Sequence, residues 1–139
     1  MIVIVGYKIN TKAFEDITKG ILLQNKEEYD IDDVLYIDDA IYHFILDEKF
    51  NNYKDIYFPG ISSLKHLIIT RYCGNNHGPI DDDNIHIGYI VNRGNKNAIK
   101  KQEELETFKN LCPPHLLASQ DADTFIFEDC DVGTTLPEY

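Results

Sequence analysis

Two short runs, far apart in the chain, share one pattern. Ile4, Val5, Gly6, Tyr7, Lys8, Ile9, Asn10 reads against His86, Ile87, Gly88, Tyr89, Ile90, Val91, Asn92, with Gly, Tyr, a β-branched residue and Asn at matching places. β-branched and aromatic residues at this density predict strands. The run from Met1 to Ile9 suits a buried central strand, and the second strand is expected over Ile85 to Arg93.

The segments C-terminal to the two runs are also alike. After the first, Asn10 or Thr11 can cap a helix, because a short side-chain oxygen there accepts from free backbone N–H groups. Phe14, Ile17 and Ile21 then make an apolar stripe, and that helix should end near Asn25. After the second run a helix is expected from Asn97 to Leu111, with Leu105, Phe108 and Leu111 or Cys112 on one face, stopped by Pro113 and Pro114. An acidic doublet and an apolar run come next in both copies: Asp30, Ile31, Asp32, Asp33 before Val34 to Ile37, and Asp121, Ala122, Asp123 before Phe125 to Phe127. Phe125 to Phe127 is too short for a helix, and by analogy Val34 to Ile37 reads as a strand as well.

The expected fold class is therefore α+β, a mainly antiparallel sheet with two helices on one face. Two βαβ units, residues 1–39 and 85–129, would interlock in a ferredoxin-like arrangement. Residues 40–84 form an insertion with its own strand, Leu64 to Tyr72, after a turn at Phe58, Pro59, Gly60. Cys73 to Asn84 reads as an exposed loop, and 130–139 as an acidic tail. All 139 residues fit a single domain, long enough to bury roughly two thirds of its unfolded surface.

Charge narrows the function. A net charge of −11 opposes direct binding of nucleic acid, which needs the other sign, and favours a basic partner. From Glu27 to Glu48, and again from Asn110 to Tyr139, there is no Lys or Arg. Asp30, Asp32, Asp33, Asp38, Asp39, Asp121 and Asp123 are the candidate partner-binding residues. Spaced carboxylates can stand in for phosphates, so an inhibitor that occupies the nucleic-acid groove of a host protein is the leading expectation. The competing reading is a solvated acidic face. Ile, Asn, Lys, Asp and Tyr are favoured and Arg71 and Arg93 are the only arginines, a bias associated with AT-rich genomes such as those of low-GC bacteria, their phages or large DNA viruses.

One basic island interrupts this pattern: Arg93, Lys96, Lys100 and Lys101. With Asn92 and Asn95 at a helix start, Asn92, Arg93, Asn95 and Lys96 form a candidate anion or nucleotide site. The strands are expected to run antiparallel, so the matching loop at Asn10, Thr11, Lys12 lies at the other end, and a site using both loops requires a homodimer. A third reading centres a metal site or an enzyme on Cys73 to Asp83. Cys73 with His77 and Cys112 with His115 make two ligand pairs, but not at zinc-finger spacing. His43, His66 and His86 are candidate bases without a motif that fixes a mechanism. Tyr7 and Tyr89 suit packing beside glycine better than a stacking platform. No cofactor is implied, and an activity without catalysis is expected. Three cysteines without a C-x-x-C suit a reducing compartment. With no signal sequence and no long apolar run, a cytoplasmic location away from membranes is the expectation.

Overall fold

The computed structural model describes residues 2–27, 29, 39–40, 43, 47–75, 81–92, 96–113 and 115–127, with backbone alone at 48, 71–75, 81–84 and 127. These contain four strands, β1 (Ile2–Ile9), β2 (Ile68–Asn75), β3 (Asp81–Ile90) and β4 (Asp123–Phe127), and three helices, α1 (Thr11–Gln24), α2 (Glu48–Tyr57) and α3 (Ala98–Leu111). The class is α+β, with an antiparallel four-stranded sheet.

The two glycine-tyrosine runs are neighbours. β1 pairs with β3 antiparallel, and its register sets Gly6 opposite Gly88, Tyr7 opposite Ile87 and Val5 opposite Tyr89. β4 lies antiparallel on the other side of β1, and β2 antiparallel on the other side of β3. β1 and β2 are therefore parallel to each other, as are β3 and β4. Each pair encloses a helical crossover, and the strands interleave as β4, β1, β3, β2. This is the order that two interlocked βαβ units require.

The details depart from expectation in four places. Among the described residues, the strand that returns parallel to β1 is β2, drawn from the 40–84 stretch; Val34 to Ile37 lies outside the described residues. α2 is a third helix in that same stretch, with Asp47 accepting from the N–H groups of Lys49 and Phe50 as its N-cap. The stretch Cys73 to Asn84 is less loop than its composition suggests, because β2 runs on to Asn75 and β3 begins at Asp81. Finally, β2 also pairs with β4, Cys73 opposite Phe127 through Asn75 opposite Phe125, so the sheet closes into a barrel.

Closure gives the sheet two apolar sides. Ile2, Ile4, Ile68, Ile90 and Phe125 fill the barrel interior. Tyr7, Ile9, Ile69, Ile85 and Ile87 belong to the other core, with Phe14, Ile21 and Leu22 of α1, Phe50 of α2, and Leu105 and Phe108 of α3. Alternation along β1 assigns the sides: Ile2, Ile4 and Gly6 inward, Tyr7 and Ile9 towards the helices. Full burial of one such side chain is worth about 1.5–3 kcal/mol, so both cores are needed to offset the ordering of the chain.

The two asparagines of the repeat hold different ends of this frame. Asn10 is the N-cap of α1, its Oδ1 accepting from Ala13 N at 3.1 Å. Asn92 Oδ1 instead accepts from Val3 N at 3.0 Å, extending the β1–β3 ladder after Val91 N donates to the Val3 carbonyl at 2.9 Å. At the expected turn, Gly60 takes a left-handed φ of 87° that glycine alone adopts freely.

Candidate functional site

The acidic candidates divide. Asp30, Asp32, Asp33 and Asp38 lie outside the described residues, and Asp39 is exposed on helical backbone beside buried Ala40. Asp121 is exposed on the turn that leads into β4, and Asp123 is exposed at the first residue of that strand. Local bonds shape that turn: Asp121 N donates to Ser119 Oγ at 3.3 Å, and Asp123 Oδ1 accepts from Thr124 N at 2.8 Å.

Asp121 has company that composition did not reveal. The Tyr7 hydroxyl titrates above its ordinary range, first because it is buried and then because the carboxylates of Glu106 and Asp121 disfavour a phenolate beside them. Glu106 and Asp121 thus both act on the Tyr7 hydroxyl. Lys109 reaches the same place, its ammonium 5.6 Å from the Tyr7 ring centroid and donating to the Gln120 carbonyl at 2.6 Å. The signal for Glu106 was present in the sequence: Glu103 and Glu106 stand three apart on the face of α3 opposite Leu105 and Phe108.

The basic island also divides. Arg93 and Asn95 lie outside the described residues, Asn92 spends its side-chain oxygen on Val3, and Lys96 and Lys100 are exposed. Lys101 does not face solvent at all: it is 1% exposed, and burial holds its ammonium below the ordinary lysine range. Asn97, which precedes α3, makes no side-chain capping bond. The expected four-residue anion site is therefore represented by one engaged asparagine and one exposed lysine.

Of the metal set, His77 and the Cys73 side chain lie outside the described residues. Burial pushes the Cys112 thiol up to about 12, so it keeps its proton at neutral pH, whereas zinc takes a thiolate. His115 is exposed and lines an open groove of ≈ 360 Å³ with Asn10, Lys12, Ala13, Asp16 and Ile17. Among the described residues no three His, Cys, Asp or Glu side chains cluster as metal ligands do.

The other histidines act as fasteners. Glu104 on α3 accepts from His66 Nδ1 at 2.8 Å, from His66 N at 2.8 Å and from Lys65 N at 3.2 Å, tying the approach to β2 onto the helix. His43 Nδ1 lies 2.9 Å from Asp47 Oδ2, the carboxylate that caps α2. His86 is 3% exposed inside the barrel, its ring centroid 4.0 Å from that of Phe125. Tyr7 and Tyr89 both pack into the core beneath the helices, so neither is a stacking platform.

No helix among the described residues is long and apolar enough to cross a membrane. Comparison with protein-family models, with curated proteins and with solved structures found no significant match.

Proposed function

We propose that this chain is a non-enzymatic acidic binding protein, and that it blocks a nucleic-acid-binding partner by presenting carboxylates where phosphates would sit. What supports the reading is that the carboxylates of Glu106 and Asp121 both act on the Tyr7 hydroxyl and are exposed, with exposed Asp123 two residues on. Lys109 donates to the Gln120 carbonyl and lies over the Tyr7 ring, so one cation faces three exposed carboxylates, Glu106, Asp121 and Asp123, and the local balance stays negative. A rigid helix and a strand entry hold them, and preorganised charge loses little on binding. The net charge of −11 would speed encounter with a basic groove.

The test uses the immobilised chain and basic nucleic-acid-binding proteins of its host. Binding should weaken steeply with salt, be displaced by duplex DNA or RNA, and fall at least about tenfold in the triple variant Glu106→Gln, Asp121→Asn, Asp123→Asn, a loss of about 1.4 kcal/mol. A complex indifferent to competitor nucleic acid would overturn the reading. An anionic small molecule held at Asn92, Arg93, Asn95 and Lys96 is the other reading, but the bond from Val3 to Asn92 gives that side chain a structural task.

A further inference from the structure

We propose that the groove between the first two turns of α1 and the turn at His115 binds a small aliphatic zwitterion, an α-amino acid of the size of leucine. The groove measures ≈ 360 Å³ and is lined by Asn10, Lys12, Ala13, Asp16, Ile17 and His115. That volume lies at the small end of the range of about 300–1,000 Å³ in which ligand sites fall. Both walls are fixed. Asn10 N donates to the Leu116 carbonyl at 2.8 Å, Leu116 N to the Pro113 carbonyl at 3.0 Å and Ala118 N to the Lys8 carbonyl at 2.9 Å, while Ile9 bridges to Leu117. Leu116 and Leu117 are buried, so the segment that carries His115 is anchored in the core beside the start of α1.

The lining supplies one charge of each sign beside an apolar strip. Lys12 and Asp16 stand one helical turn apart on α1, yet among the described residues no side-chain hydrogen bond or ion pair engages Lys12, Asp16 or His115. Lysine N-terminal to its acid is the weaker order for an i, i+4 pair, which leaves both charges open to a ligand that brings the complement of each. The adjacent row of the helix, Ala13 and Ile17, is half-buried and apolar. The helix start itself adds nothing, because Asn10 Oδ1 already takes the Ala13 N–H at 3.1 Å. In an α-amino acid the carboxylate and the ammonium share one carbon, so together they reach charges whose Cβ atoms lie about 5–6 Å apart. The ligand carboxylate meets the Lys12 ammonium and its ammonium meets the Asp16 carboxylate. Its aliphatic group lies on Ala13 and Ile17, with the His115 imidazole as the far wall. The field of the molecule selects the same class. A net charge of −11 repels a small anion and draws a small cation to any exposed carboxylate, whereas a neutral zwitterion meets neither effect. This site is independent of the function proposed above.

The experiment titrates the full isotope-enriched chain with L-leucine and reads the methyl resonances of Ala13 and Ile17. Both should shift and saturate with a Kd on the order of 1–10 mM, the weak affinity that an open site gives so small a ligand. Isocaproate, which lacks the ammonium, isopentylamine, which lacks the carboxylate, and glycine, which lacks the aliphatic group, should each bind at least about fivefold more weakly. Asp16→Asn should weaken leucine and isopentylamine while sparing isocaproate. Lys12→Gln should do the reverse, weakening leucine and isocaproate while sparing the amine. Both side chains are exposed, so the remaining resonances should stay in place in either variant and report an intact fold. The absence of a saturable shift at both methyls up to about 20 mM leucine would overturn the proposal. So would equal affinity for leucine and isocaproate, or a leucine affinity that survives both substitutions, since the groove would then be reading no zwitterion.

Discussion

At the scale of single residues, the two glycines at the centre of the repeat decide how closely β1 and β3 approach. A Cβ on Gly6 would run into the Ile87 carbonyl oxygen and stand 2.5 Å from Gly88 Cα; one on Gly88 would meet the Val5 carbonyl oxygen and lie 2.6 Å from Ile4 Cγ2. Most of these obstacles are backbone, which cannot swing aside as a side-chain end can. Gly88→Ala should therefore destabilise the fold by about 1–3 kcal/mol or more, read as a lower denaturant midpoint at unchanged slope. A control at Gly20, where an added Cβ meets nothing within 4 Å, should instead be neutral or stabilising by up to about 1 kcal/mol, because alanine favours a helix interior. Equal losses at both positions would show that crowding is not the cause. The shared asparagines carry a different lesson: identical residues at matching places cap a helix at Asn10 and extend a strand pair at Asn92. Sequence similarity located both, and only the surrounding backbone assigned their tasks.

Among the elements, β1, α1, α3 and the strand entered at Ile85 were legible because their apolar residues recur at the period of their own structure. α2 was not, for a physical reason. Its ten residues include Asn51, Asn52, Lys49 and Asp55, and its place in the core rests on Phe50. The best local clue was Asp47, since aspartate before Glu48 is an N-cap signal. That carboxylate now supports a specific expectation. Burial alone would raise its pKa, but bonds from His43 and from the Phe50 N–H outweigh burial and hold it below the ordinary aspartate value. A group depressed in the folded state stabilises above its unfolded pKa and loses that contribution as pH falls through the folded one, so the effect belongs below about pH 4. Asp47→Ala should cost about 1 kcal/mol at pH 7, whereas Asp47→Asn keeps a capping oxygen and should cost less there while flattening the acid limb of the stability profile. An acid limb unchanged in Asp47→Asn would show that other carboxylates set it. β2 shows the converse limit. Its own apolar run was readable, but its partnership with β1 across α1 and α2 depends on pairing with β3 and β4, which local pattern does not encode. The candidate site follows the same division: Asp121 and Asp123 were visible as carboxylates, while Glu106 is linked to Asp121 only through the effect that both have on Tyr7.

For the whole molecule, the field of eleven excess negative charges acts on folding and on binding with opposite sign. Compact folding draws like charges together, and the exposed acids Asp16, Glu27, Asp39, Glu103, Glu106, Asp121 and Asp123 spread over several elements of the fold. Some carboxylates are satisfied internally, Asp47 by His43 and a helix start, Asp55 by the N–H and hydroxyl of Ser62, Glu104 by His66 and Lys65. Those bonds are short-ranged and partly buried, so salt weakens them little, whereas repulsion among exposed groups acts over distances near the screening length of about 10 Å at 0.1 M. Raising NaCl from about 0.05 to about 0.5 M should then raise the melting temperature by a few degrees, since repulsion in the compact state is relieved more than attraction is lost. The same change should weaken a complex with a basic partner, because there the long-range term is attractive. A melting temperature that falls with NaCl would mean that attractive surface pairs dominate, and the acidic surface would then be a self-satisfied network. Stability rising while affinity falls is the paired signature expected if uncompensated carboxylates are held ready for another molecule.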